Sequence, residues 1–117
     1  MAISETRTEE IKKSLKRCDD ETMAAALRFE ETRNLDELPA IILGVLQRDA
    51  ANPPPGGVAS VADDANLMEV VGMDSFGMME VVMTAEEVLG ITVATEEMNN
   101  IRTLGDLKQF LRSKLAS

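Results

Sequence analysis

Pro53-Pro54-Pro55-Gly56-Gly57 admits no regular element, because the prolines remove backbone donors and clash with a preceding helical turn. Every helix must finish before this block or start after it. Before it, Asp36 is placed to cap a helix in which Pro39 falls in the tolerant first turn. Leu38, Ile41, Ile42, Val45 and Leu46 share one face of that helix, which stops by Asn52. After the block, residues 52–66 read as a long loop whose end is pinned where Leu67 and Val71 meet the core. A second helix starts at Ser75-Phe76 and stops at Gly90, with Met79, Val82, Met83 and Leu89 as its apolar stripe. Glu80, Glu86 and Glu87 fall outside the stripe as an acidic face. Ile91 and Val93 follow in an extended stretch. Thr95 then caps a short helix with Glu96, Glu97 and Met98, and Thr103 caps a last one through Leu104, Leu107, Phe110, Leu111 and Leu115. The chain is thus expected to be all-α, a small antiparallel bundle of three main helices and one short helix.

At 117 residues the chain holds at most one ordinary domain and an appendage. It is 44% hydrophobic but only 3% aromatic, so the core must come from Leu, Ile, Val, Ala and eight Met. The net charge is −9, and residues 63–117 hold ten acids against four bases. Such a field repels nucleic-acid phosphates and anionic membranes and steers basic protein patches inward. A single cysteine, Cys18, excludes an internal disulfide and a cysteine metal cluster. The absence of His removes the usual base of a serine or cysteine nucleophile and the commonest transition-metal ligand, so no metal site is expected. With no apolar run long enough to span a bilayer and a polar N-terminus, the expectation is a soluble cytoplasmic protein.

Residues 1–34 form a polar N-terminal extension, helical or linker, ahead of a domain at 35–117. Thr6 with Glu9 offers a capping box, and Ile11 and Leu15 follow at helical spacing. Asp19 or Asp20 offers a second start before Met23, Ala24, Ala25, Ala26 and Leu27. The apolar stripe is narrow, which favours a loosely packed or linker segment over a docking helix or helices packed on the domain.

Ser75 has two readings. A serine at a helix start caps a free backbone N–H, and spacing alone favours that role. The flanking residues point elsewhere. From Asp63 to Leu111, through Asn66-Leu67-Met68-Glu69-Val70-Val71-Gly72-Met73-Asp74-Ser75, then Gly90-Ile91-Thr92-Val93 and Asn100-Ile101-Arg102-Thr103-Leu104-Gly105-Asp106-Leu107, the chain resembles the acyl carrier proteins. The resemblance implies a four-helix bundle of acyl-carrier type and a function of carriage without catalysis. It implies that Ser75 bears 4′-phosphopantetheine covalently, with Asp74 and Phe76 beside it. Phe76 stands where that family has Leu, and Gly77 where it often has an acidic or polar residue.

By the same resemblance, Glu80, Glu86, Glu87, Met79 and Ile101 meet partner enzymes. These are a phosphopantetheinyl transferase and then acyltransferases, ketosynthases or other enzymes of fatty-acid or polyketide synthesis, with the carrier acting as a monomer. Met79 and Ile101 serve equally well as core. Two alternatives stay open: an aminoacyl or peptidyl carrier of a nonribosomal synthase, and a carrier-like acidic interaction module that never bears the arm.

Overall fold

The computed structural model describes residues 4–50, 57, 61–70, 72 and 74–116, and among these the regular elements are helices. They are α1 (Glu5–Ser14), α2 (Asp20–Thr32), α3 (Leu38–Asp49), α4 (Leu67–Val70), α5 (Ser75–Leu89), α6 (Thr95–Met98) and α7 (Leu104–Ala116). A 3-10 turn, Leu35–Glu37, leads into α3. The all-α expectation holds, with α3, α5 and α7 as the main helices of the domain and α6 as the short one. The one-turn α4 was not anticipated. It starts where Asn66 Oδ1 accepts from the Met68 and Glu69 amides, and an isolated bridge ties Asn66 to Thr103. Pro53 to Gly56 and Val71 lie outside the described residues. No described helix is long and apolar enough to cross a membrane.

Several helix starts differ from expectation. Ser, Thr, Asp and Asn all cap, and the winner is the one held extended just before the first helical residue. Ser4, not Thr6, caps α1 through the Arg7 amide. Asn34 caps the 3-10 turn, leaving Asp36 inside it, and α3 begins at Leu38. At α6 the Glu97 carboxylate accepts from the Ala94 amide, so Thr95 is helical rather than the cap. Asp19 does cap α2. Thr103 Oγ1 accepts from the Asp106 amide as expected, while Asp106 accepts from the amides of Arg102 and Thr103. Those two backbone bonds hold the Asp106 carboxyl below its ordinary range.

The core takes Leu38, Ile41, Ile42, Val45 and Leu46 from α3 and Leu104, Leu107 and Leu111 from α7, as the spacing requires. The inward stripe of α5 is Met78, Val81, Val82, Ala85, Val88 and Leu89. Met79 and Met83, assigned to the core stripe by their spacing with Val82, face solvent at 48% and 52% exposure.

The loosely packed reading of the N-terminal segment is overturned. Ile11, Leu15, Ala25, Ala26 and Phe29 are buried in the same core as α3, α5 and α7. Helix α2 lies along α3, and α1 along α5. The stripe is narrow because Ala25 and Ala26 let α2 approach closely, so few large side chains are needed. The approach is close at Gly44, where an added Cβ would overlap the buried Thr22 side chain. Gly44→Ala is therefore expected to force α2 off α3 at a cost of about 1–3 kcal/mol, seen as a lower midpoint in denaturant.

Polar bonds fix the same arrangement. Arg48, only 10% exposed, pairs with Asp49 and donates to the Ser14 carbonyl at 2.8 Å and to Thr84 Oγ1 at 2.9 Å. One guanidinium so joins α1, α3 and α5.

Candidate functional site

The site is built at the start of α5. Gly72 sits at φ +72°, a left-handed conformation that a side chain would oppose, and turns the chain toward the helix. Asp74 is extended, and its Oδ1 accepts from the Gly77 amide at 2.7 Å while its carbonyl accepts from Met78 N at 3.0 Å. Ser75 is the first helical residue. The capping role that competed for Ser75 is thus filled by its neighbour. Asp74 is exposed and Phe76 is 66% exposed, which puts this turn at the surface.

Along α5, Phe76, Met79 and Met83 recur at helical spacing on the outward side, beside the exposed Glu80. Met68 of α4 is exposed as well, at 51%. Helix α5 therefore carries two apolar faces, one inward and one outward. The sequence reading had no way to tell Met83 from a core residue by hydrophobicity; the complete 78/81/82/85/88/89 spacing was the signal that it missed.

The other expected partner residues lie apart from this turn. Glu86 is half-buried, and its Oε2 accepts from the Val93 amide at 2.8 Å, holding the stretch after α5. Glu87 is exposed, but its carboxylate accepts from the Ser14 hydroxyl at 2.6 Å. Ile101 is 8% exposed and belongs to the core. The structure brings Asp74, Phe76, Met79 and Glu80 to one end of α5, of which Ser75 is the first residue, while Glu86 and Glu87 are engaged by other parts of the chain and Ile101 is in the core.

The far end of α5 is anchored by the N-terminal helices. Gly90, at φ +71°, stops the helix as expected. Arg7 Nη2 donates to the carbonyls of Glu87 and Val88 at 2.9 and 3.0 Å, and Arg33 Nη1 to that of Leu89 at 3.3 Å. Carbonyls that a helix end leaves unpaired thus receive cationic donors. Glu30 lies between the two arginines and pairs with both.

The remaining chemistry of the described residues is sparse. Burial pushes the Cys18 thiol up, away from the reactive thiolate. No cluster of three potential metal ligands occurs among the described residues. Between α3, α5 and α7 the apolar interior leaves about 10 Å³, lined by Val81, Ala85 and Val88 among others. As folded, that space is too small for a chain of methylenes.

Comparison with known proteins places the chain in a family. The sequence model of the family described as "Phosphopantetheine attachment site" matches residues 40–111. The chain is 36% identical over 53 residues to the acyl carrier protein of Arthrobacter sp. (strain FB24), an alignment covering 45% of this chain and 65% of that one. It is 37% identical over 75 residues to acyl carrier protein MbtL of Mycolicibacterium paratuberculosis, covering 64% and 80%. It is 33% identical over 95 residues to polyketide-8 synthase acyl carrier protein 2 of Streptomyces avermitilis, covering 81% and 93%. The chain spans just under two thirds, 65%, of the relatives from Arthrobacter and Paenarthrobacter aurescens. No solved structure matches.

Proposed function

The chain belongs to the acyl carrier protein family, whose members carry 4′-phosphopantetheine and do not catalyse, and on that footing we propose that Ser75 is the residue that bears the arm. The observation that carries this assignment is the division of labour at the turn: Asp74 caps α5 through the Gly77 amide, so the cap does not require Ser75, the first helical residue. The residues present suit the group. The N-terminal end of α5 favours the negative charge of a phosphodiester, and the exposed Asp74 and Phe76 leave the turn open to an enzyme.

In the loading step the Ser75 oxygen forms a P–O bond to the phosphopantetheinyl phosphorus of coenzyme A. The P–O bond to the nucleotide half breaks, the nucleotide leaves, and the serine proton passes to a base on the transferase. When bound, the arm supplies a thiol that holds acyl groups as thioesters. This chain's own residues present the serine on a rigid helix and offer a surface for enzymes. Phe76, Met79 and Met83 give apolar contact, with Glu80 meeting basic groups on the transferase and on acyltransferases or ketosynthases.

The cargo we infer is an acyl chain of fatty-acid or polyketide type. Relatives named acyl carrier proteins support this, and the alignment spanning 81% of this chain is with a polyketide synthase carrier. The carrier acts in the cytoplasm as a monomer.

Incubation with coenzyme A, magnesium and a broad-specificity phosphopantetheinyl transferase is expected to add one phosphopantetheinyl unit, read by intact mass. Folded protein that gains nothing from two unrelated transferases would overturn the assignment and leave the acidic interaction module in its place.

A further inference from the structure

The end of α1 and the turn after it gather positive charge on an acidic chain. The protein has a net charge of −9, yet Lys12, Lys13, Lys16 and Arg17 lie together, all exposed. Arg7, Arg28, Arg33, Arg48, Lys108 and Lys114 each face a carboxylate of the chain. Among the described residues, the side chains of Lys12, Lys13, Lys16 and Arg17 make no hydrogen bond or ion pair. The helix dipole accounts for Lys12 and Lys13 in the last turn of α1 but not for Lys16 and Arg17 beyond it.

The position of this strip gives it a use. Lys13 borders an open groove of about 650 Å³ between α1 and α5, together with Arg7, Glu10, Ser14 and Glu87. Arg48 reaches the Ser14 carbonyl with Nη1 and Thr84 Oγ1 with Nη2, which sets the end of α1 beside the middle of α5. The residue before Thr84 is the exposed Met83. Glu87, one helical turn beyond Met83 on α5, lines the same groove as Lys13, so the groove adjoins the outward face of α5.

We propose that α1 is the second half of the docking face: an enzyme seated on Phe76, Met79, Glu80 and Met83 also meets Lys13, Lys16 and Arg17 and carries an acidic segment opposite them. The proposal rests on the carrier reading of α5. Charge complementarity selects the partner. A continuous anionic lipid surface would press against Glu10 and Glu87 on the groove and against the acidic chain as a whole. A protein segment can place its carboxylates between those acids. Such contacts add on-rate and specificity, since an enzyme with only a basic face is repelled by the α1 strip.

The test follows amide shifts of the transferase-loaded protein at low salt while a short Glu-rich helical peptide is added. Parallel arms use phosphatidylglycerol vesicles and rising concentrations of the protein alone. Shifts from the peptide are expected at residues 12–17 and 83–87. The pair Lys13→Glu and Lys16→Glu should weaken peptide binding about tenfold, while Arg102→Glu with Arg112→Glu, the same charge change on exposed cations elsewhere, should change it about twofold or less. Equal weakening by both pairs would reduce the effect to net charge and overturn the proposal. So would binding to vesicles instead of peptide, self-association moving the same amides, or no shift at all. Mass gain in the loading step without a peptide response sinks only the docking proposal; failure of loading sinks the carrier reading beneath it.

Discussion

Ser75→Ala is expected to accept no phosphopantetheine from any transferase that loads the parent, while unfolding within about 0.5 kcal/mol of it. The loss is complete because the substitution removes the only oxygen at that position able to form the phosphodiester. The stability is spared because the Gly77 amide in the first turn of α5 already has its cap in Asp74, at 2.7 Å. Asp74→Ala supplies the contrast. It keeps the hydroxyl but removes the cap, and should cost about 0.5–2 kcal/mol. Intact mass and far-UV circular dichroism of both variants separate the two roles. A Ser75→Ala protein that still gained the arm would place attachment at another residue.

Phe29→Ala is expected to destabilise the whole protein by about 3–5 kcal/mol, a large share of the roughly 5–15 kcal/mol that holds a domain together. Phe29 is 1% exposed and lies in one core with residues of α3, α5 and α7. Removing its ring leaves a cavity that α2 cannot close without drawing Thr22 further into Gly44. The unfolding midpoint should fall by more than about 10 °C in a single transition. The chain has no Trp or Tyr, so circular dichroism is the natural probe. A main transition that did not move, with a separate early loss of helix, would mean that α1 and α2 fold apart from the rest.

The parts legible in the sequence are those governed by local rules. The five apolar residues of α3 share a face because 3.6 residues make a turn, and no tertiary contact is needed to see it. Gly90 at the end of α5 and Thr103 before α7 follow from backbone chemistry that acts over a few residues. The Ser75 turn stood out through its flanks. What stayed hidden depends on partners far along the chain. The outward placement of Met83 follows from α5 having two apolar faces, and only the neighbouring helices decide which one turns inward. The burial of Ile11 and Phe29 rests on small residues, Ala25, Ala26 and Gly44, which hydrophobic patterning undervalues because their contribution is the distance they allow. No local pattern marks Arg48, yet it joins three helices.

The arginines at the end of α5 also impose an order on synthesis. Arg7 and the Val88 carbonyl that it meets are 81 residues apart, so the ribosome delivers α1 and α2 long before the helix end they close. Until then Phe29 and Ile11 have only each other and α3 to cover them. Closing so long a loop adds little to the entropic cost but much to the waiting time. The nascent chain should therefore acquire protection at α1 and at the last turn of α5 in one late step, after α5 has left the tunnel.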